Sequence, residues 1–325
     1  MSKSFLMCHV VDDNDVSFGL SSSLSRRHAL LYFVHVAEKP GFVGLGVMGG
    51  AMAVNLARAY RVAGFDVDAS RFRGLTGVEQ AKSLDELARR STVMCLSLPD
   101  AKVVEQVAIG DGGLVHSLAA GSLVIDLSTS MPAVSRRIAA RLAEKRIQFA
   151  DAPVSGGEAG AKAATLAIMV GADAITFERC KPILSAMGKS VVRVGDPGAG
   201  SVAKLVNNMI VASAFAVIAE GFALAEKNNV DARLLYEAIR EGWAGSKVLD
   251  TSVPTMTARD YTPGGTVNMM EKDLGYARSF AAESHVPIPM TAAAHEVFVA
   301  GQAAGKGAQS QPAIIELWRE RGGHA

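Results

Sequence analysis

Three cysteines in 325 residues, Cys8, Cys95 and Cys180, are too few and too scattered for a disulfide framework, and none lies at metal-ligand spacing from another. The pattern suits a reducing compartment, the cytoplasm, and no structural metal is expected. Net charge is nearly absent, because 33 basic and 32 acidic side chains leave +1 with no basic block. Such a surface has nothing to attract nucleic acid or an anionic membrane, so the expected partner is a small molecule. Also missing is any uninterrupted apolar run near the roughly 20 residues that span a bilayer. What remains is ordinary core material: with 49% hydrophobic residues, the chain is long enough for two domains with large cores.

Residues 1–38 stand apart. They combine an acidic patch (Asp12, Asp13, Asp15), a serine run, and Ser25-Arg26-Arg27 ahead of the apolar stretch Ala29 to Ala37. A twin-arginine export signal is one reading. Against it, the apolar stretch is short, is interrupted by His35, and meets the next strand without a cleavage spacer. A poorly ordered extension, or upstream sequence from an over-extended gene start, is the expectation instead.

The densest local signal is Gly41-Phe-Val-Gly44-Leu45-Gly46-Val47-Met48-Gly49, followed by helix formers through Ala59. It reads as a buried strand, a glycine turn and a helix whose N-terminus faces an anion, the arrangement that holds a dinucleotide pyrophosphate. In it Gly44 permits the turn, Gly46 admits the phosphates and Gly49 lets helix and strand pack closely. A second strand, Arg61 to Phe65, ends on Asp66, which is placed either to accept hydrogen bonds from the adenosine ribose or simply to cap the next segment. A carboxylate there repels a 2′-phosphate and favours NAD over NADP, with Arg71 the only nearby base against it.

Strands and helices then alternate as in a parallel sheet with crossovers. Helix formers at 84–89 precede the strand Val93 to Leu98, which ends at Pro99. Leu123 to Leu127 ends at Ser128-Thr129, a helix from about Ala133 to Glu144 follows, and Gln148 to Ala150 ends at Asp151-Ala-Pro-Val-Ser155-Gly156-Gly157. In an open parallel sheet these carboxyl ends line the ligand crevice. Leu98, Pro99, Ser128 and Thr129 are then expected at the nicotinamide half of the cofactor, although turn chemistry alone would account for any one of them.

From Gly198 to about Asn229 no proline intervenes, and apolar residues cover most of a helical circumference. One long, buried helix is expected, at a junction of domains or subunits. Lys204 and Asn208 share a face of it, and both are costly to bury alone. Lys204 either pairs with a core carboxylate or serves chemistry.

Four separated motifs between Pro40 and Trp318 resemble those of the β-hydroxyacid dehydrogenases: Gly44 to Gly49 with Met52 and Asn55; Asp151 to Gly157; Gly198-x-Gly200-x3-Lys204-x2-Asn207-Asn208; and Glu271-Lys272-Asp273-Leu274. The resemblance implies that Lys204 donates and accepts the proton, that Asn208 orients the substrate hydroxyl, that Ser155, Gly156 and Gly157 hold the substrate, and that Lys272 lies near the cofactor. The stretch Glu241 to Asp250 is more similar to tartronate semialdehyde reductases than to 3-hydroxyisobutyrate dehydrogenases. Trp243 and Ser246 then line the substrate pocket, with packing against a helix the other reading of Trp243. Substrates implied are a small hydroxy acid or its semialdehyde; 3-hydroxyisobutyrate, L-threonate, an imine, or a purely cofactor-binding role are the alternatives.

Departures from the family pattern include Ala164 in place of Gly, Gly265 in place of an aromatic, and a shortened turn between Asn55 and Asp66. His116, His285 and His295 have no acid or metal partner at a recognisable spacing and read as structural or surface residues. The expected architecture is α/β: a Rossmann-type doubly wound parallel sheet (39–197), joined through one long helix to an all-helical C-terminal domain (198–325). So apolar a helical domain implies a homodimer or homotetramer.

Overall fold

The computed structural model describes residues 38–262 and 264–321. The expectations for residues 1–37, the export signal among them, lie outside these. Glu38 already belongs to the fold, its carboxylate paired with Arg179 at 2.7 Å.

Short strands, most of them apolar, alternate with helices through the first half: β1 (Pro40–Val43), α1 (Val47–Leu56), β2 (Val62–Phe65), β3 (Val78–Gln80), α2 (Leu84–Arg90), β4 (Val93–Leu96), α3 (Ala101–Ile109), α4 (Leu114–Ser117), β5 (Leu123–Asp126), α5 (Pro132–Ala143) and β6 (Gln148–Asp151). The six strands are all parallel, in the order 3-2-1-4-5-6. This is the doubly wound order, with its switch point between β1 and β4. Successive strand residues serve opposite faces: Phe42 joins one core with Met52, Leu56 and Ile125, and Val43 joins the other with Leu96, Ile138 and Phe149. Helices start where the sequence supplies a cap, as at Ser83 and Asp100, whose side chains accept from the amides of Glu86 and Val103.

The sheet does not stop there. β7 (Val154–Ser155), α6 (Gly157–Ala163), β8 (Leu166–Gly171), α7 (Ala174–Ser185) and β9 (Gly188–Gly195) extend it, with β8 antiparallel to β6 and β7 and parallel to β9. Most of β9 is exposed. It therefore carries no apolar run that a sequence reading registers, and this half of the sheet was not foreseen.

Only helices follow: α8 (Ala199–Lys227), α9 (Ala232–Ile239), α10 (Lys247–Ala258), α11 (Val267–Glu283), α12 (Pro289–Gly301) and α13 (Glu316–Arg321). α10, α11 and α12 pack around α8 on a core that includes Phe215, Phe222, Leu249, Leu274 and Phe298. Two expectations about α8 need correction. It is not buried all round, since Val206, Ile210, Val217 and Leu224 are exposed along one face. By length and composition it is also apolar enough to cross a membrane. Lys204, Asn207, Asn208 and Glu220 interrupt the linear run but leave the helix apolar on average.

One carboxylate joins the two halves. Asp151, the last residue of β6, accepts from the amide of Gly198 at 2.7 Å and from that of Ser201 at 2.6 Å, and so holds the N-terminus of α8. A Cβ at Gly200 would lie 2.3 Å from the Asp151 carbonyl oxygen, so helix and sheet meet backbone to backbone.

Ala164 ends α6 in the left-handed region, at φ +55°. A Cβ there is strained, which is the physical reason for glycine in the family pattern. Ala164→Gly should stabilise the protein by about 0.5–1 kcal/mol, read as a higher denaturation midpoint; an unchanged or lower midpoint would contradict strain at this position.

Candidate active site

The glycine turn is built from two close approaches and one open position. The Gly44 amide donates to the Phe65 carbonyl at 3.0 Å, while a Cβ at Gly49 would lie 1.9 Å from the Gly44 oxygen and one at Gly46 would meet nothing. The chain is thus crowded where helix packs on strand and open where an anion would approach. No side chain caps α1, so the amides of its first turn, from Val47 and Met48 onward, face that opening. These residues fit a dinucleotide pyrophosphate. A cavity of ≈ 580 Å³ lies beside the turn, lined by Gly46, Val47, Arg58, Arg71 and Arg73 among others.

Asp66 stands at the end of β2 as expected, with one role the sequence did not suggest. Its Oδ2 accepts from the Leu45 amide at 2.7 Å and its Oδ1 from the Asp68 amide at 2.9 Å. Leu45 therefore spends its amide on locking the turn and is itself buried. Arg71 is not the only base nearby, because Arg58 and Arg73 line the same cavity and Arg71 is paired with Asp68 at 3.3 Å.

Along the carboxyl edge of the sheet, the Ser128 hydroxyl accepts from the Leu98 amide at 2.9 Å. It thereby joins two segments that the sequence assigned to the nicotinamide side. Thr129 follows, half-buried, and Pro99 is exposed. Asp100 and Tyr276 finish this rim: the Tyr276 hydroxyl, carried by α11, accepts from the Ala101 amide at 3.2 Å. Ser155 ends β7, and Gly156 and Gly157 lead into α6 with φ of +138° and +62°. α6 is tied back to the glycine helix by Asn55, whose Nδ2 donates to the Ala161 carbonyl at 2.6 Å.

Lys204 and Asn208 lie one turn apart on α8, and the carboxylate facing them is Asp273 of α11. Asn208, 4% exposed, donates through Nδ2 to Asp273 Oδ2 at 2.7 Å and accepts at Oδ1 from Asn207 Nδ2 at 2.9 Å. Asp273 Oδ1 pairs with Lys272 Nζ at 3.0 Å, and that ammonium also sits 5.0 Å from the centre of the Tyr276 ring. Lys204 has no hydrogen bond or ion pair among the described residues. Burial lowers its pKa, Asp273 opposes the shift and Lys272 reinforces it. Asp273 was part of a quoted motif but not among the expected site residues. The signal was present: it is the one acid on the buried stripe of Met270, Asp273, Leu274 and Ala277.

Two expected substrate residues make no hydrogen bond to this cluster among the described residues. Trp243 is 106% exposed and packs on none of the described residues, which removes the helix-packing reading within them. Ser246 caps α10, accepting from the Leu249 amide at 3.1 Å. His295, read as lacking an acid partner, has one: its Nε2 lies 3.3 Å from Glu271 Oε1 and its Nδ1 2.9 Å from Arg278. The pairing joins α11 to α12, and seventeen or more residues of separation hid it from spacing alone.

Residues 39–195 match the NAD-binding domain of 6-phosphogluconate dehydrogenase, and residues 198–318 match the NAD-binding domain of NADP-dependent 3-hydroxyisobutyrate dehydrogenase. Among curated proteins, the chain is 36% identical to 2-(hydroxymethyl)glutarate dehydrogenase of Eubacterium barkeri over 88% of its own length and 96% of that protein's. The chain belongs to the β-hydroxyacid dehydrogenase family. This dehydrogenase is also 34% identical to 2-hydroxy-3-oxopropionate reductase of Escherichia coli, over 86% of its length and 96% of the reductase's. Its structure matches that of Mycobacterium tuberculosis 3-hydroxyisobutyrate dehydrogenase with L-serine at a TM-score of 0.79 and 32% identity, covering 87% of this chain and 99% of that one. It is an oxidoreductase that uses a nicotinamide dinucleotide and acts on hydroxyl groups of small hydroxy acids.

Because Asp273 raises the Lys204 pKa, Asp273→Asn should lower the midpoint at which this dehydrogenase's Lys204 becomes reactive. The pH dependence of Lys204 acylation, mapped by peptide mass spectrometry, checks this; an unmoved midpoint would mean that the carboxylate does not act on the ammonium.

Proposed function

We propose that this protein is an NAD(H)-dependent reductase of a small semialdehyde acid, of the kind that interconverts 2-hydroxy-3-oxopropionate (tartronate semialdehyde) and glycerate. The observation that carries the reading is Lys204: a partly buried ammonium with no partner among the described residues, one turn from Asn208 and held near a carboxylate. When bound, the cofactor supplies or accepts the hydride. Everything else falls to the protein. As an aldehyde is reduced, charge grows on its oxygen, where Lys204 stabilises it and gives up a proton. In the oxidation direction the lowered pKa lets the neutral amine take the hydroxyl proton at moderate pH. Asn208, fixed by Asp273, orients the hydroxyl, and Ser155 with the amides of Gly156 and Gly157 holds the substrate carboxylate. Lys272 stands beside the cofactor.

Asp66 supports NAD over NADP, its carboxylate being fixed at the end of β2 with two amides; the guanidinium groups of Arg58 and Arg73 argue the other way, and the charge next to the ribose decides. The substrate rests on the likeness of Glu241 to Asp250 to tartronate semialdehyde reductases, with Trp243 and Ser246 assigned to the pocket rim. We infer also that two or more copies assemble through the exposed α8 face of Val206, Ile210, Val217 and Leu224, which light scattering tests by a mass above that of the 34.0 kDa chain.

The direct test is turnover of NADH and NADPH with tartronate semialdehyde, methylmalonate semialdehyde, succinic semialdehyde and glyoxylate, and of NAD+ and NADP+ with D-glycerate, 3-hydroxyisobutyrate and L-threonate. The expected result is tartronate semialdehyde with NADH preferred, at kcat/KM on the order of 10⁴ M⁻¹s⁻¹ or more. Lys204→Ala should then lose at least about 10²-fold in kcat. Preference for another acid, or a Lys204→Ala variant with near-normal turnover, would overturn the substrate or the mechanism respectively.

A further inference from the structure

Beneath Ser128 lies a buried acid that the proposed chemistry does not use. Asp126 ends β5 and is 0% exposed. Its Oδ1 accepts from the Ser128 amide at 3.0 Å, while its Oδ2 is buried with no hydrogen-bond partner among the described residues. Ser128 in turn holds the Leu98 amide at 2.9 Å, so Asp126 anchors the rim assigned to the nicotinamide half of the cofactor.

Burial sets its charge first, and its strand neighbours add to that. On β4 the register partner of Asp126 is the apolar residue ahead of it, Leu96, and on β6 it is Asp151. Asp151 is the charged group acting on it, and both Asp151 oxygens are committed to the N-terminus of α8. Two like charges side by side in a dry interior are costly, and among the described residues no cation pairs with either. Burial and Asp151 accordingly raise Asp126 to about 7, against the opposing pull of the Ser128 hydroxyl and amide.

Resting on the cofactor assignment above, we propose that Asp126 is a proton-linked positioning residue that reads the charge of the nicotinamide: a neutral acid beneath NADH and an ionised carboxylate beneath NAD+. The two cofactor forms have the same pyrophosphate and differ in charge only at the ring. A group that distinguishes them therefore answers to the ring alone. Binding of NAD+ favours the carboxylate and releases the proton to solvent; binding of NADH leaves it in place. A site of this kind gains affinity for NAD+ relative to NADH as the pH rises.

The experiment is calorimetric titration of the intact protein with NAD+ and, separately, NADH at pH 7 in buffers of different ionisation enthalpy. Wild type should release about half a proton per site with NAD+ and close to none with NADH, since a group titrating near 7 is about half protonated there. Asp126→Asn should bind both forms and lose the difference. Lys204 and Asp151 are the other groups with the correct sign: Lys204→Ala serves as one control and should keep the release, and a release coming from Asp151 would survive Asp126→Asn. Should Asp126→Asn not fold, infrared difference spectra of the wild type decide the matter: NAD+, but not NADH, should bleach the carbonyl band of a protonated carboxylic acid. Equal proton release for the two forms, a release that survives Asp126→Asn, or an unbleached band would overturn the proposal while leaving the cofactor assignment intact. Failure of the wild type to bind either form would overturn both.

Discussion

The structure depends on one carboxylate meeting one helix end. Asp151 terminates β6 in register with Asp126 on the neighbouring strand, and its two oxygens take up two of the amides that α8 leaves unpaired at its start. A helix N-terminus carries partial positive charge, so the pairing satisfies hydrogen bonds and electrostatics together. Burial nevertheless raises Asp151 to about 6, which shows that desolvation outweighs the two amide bonds. At neutral pH it remains mostly ionised. Through this contact, α8 is set against the carboxyl edge of the sheet, and Lys204 and Asn208 are carried along it.

A second carboxylate organises the opposite side. Asp273 receives Asn208 and Lys272, and its field acts on Lys204. Removal of Asp273 leaves the buried Asn208 amide short of a partner, an arrangement that costs more than the hydrogen bond itself is worth, about 1–3 kcal/mol for the orphaned group. Tyr276, four residues along α11 from Lys272, bonds the Ala101 amide at the end of the rim. The helical half thus touches the crevice through side chains of α8 and α11 rather than through a loop, which suits a site that must hold its geometry.

Much of this was legible in the sequence, for identifiable reasons. β1, β2, β4, β5 and β6 are largely buried and so appear as mainly apolar runs, whereas β3 (Val78–Gln80) is half-exposed and polar and is not legible in this way, and the glycine turn places its residues by steric need at Gly44 and Gly49. The long helix and the pair Lys204 and Asn208 followed from periodicity. What stayed hidden depends on distance in three dimensions: β8 is an apolar run whose partners β6, β7 and β9 only the fold supplies, β9 is mostly exposed, His295 finds Glu271 across two helices, and Asp151, Asp273 and Asp126 acquire their roles from partners far away in the chain. Trp243 illustrates the opposite limit. An aromatic in a glycine-rich turn reads as core or pocket, yet the folded chain leaves it in solvent.

The central claim is that the glycine turn of β1 and the α8 pair of Lys204 and Asn208 form two halves of one site. A crystal structure of the ternary complex with NAD+ and D-glycerate tests it most directly. The account predicts the pyrophosphate over the first turn of α1, with the substrate hydroxyl within hydrogen-bond reach of both Lys204 Nζ and Asn208. A cofactor bound away from the glycine turn, or a substrate whose hydroxyl contacts neither residue, would contradict it.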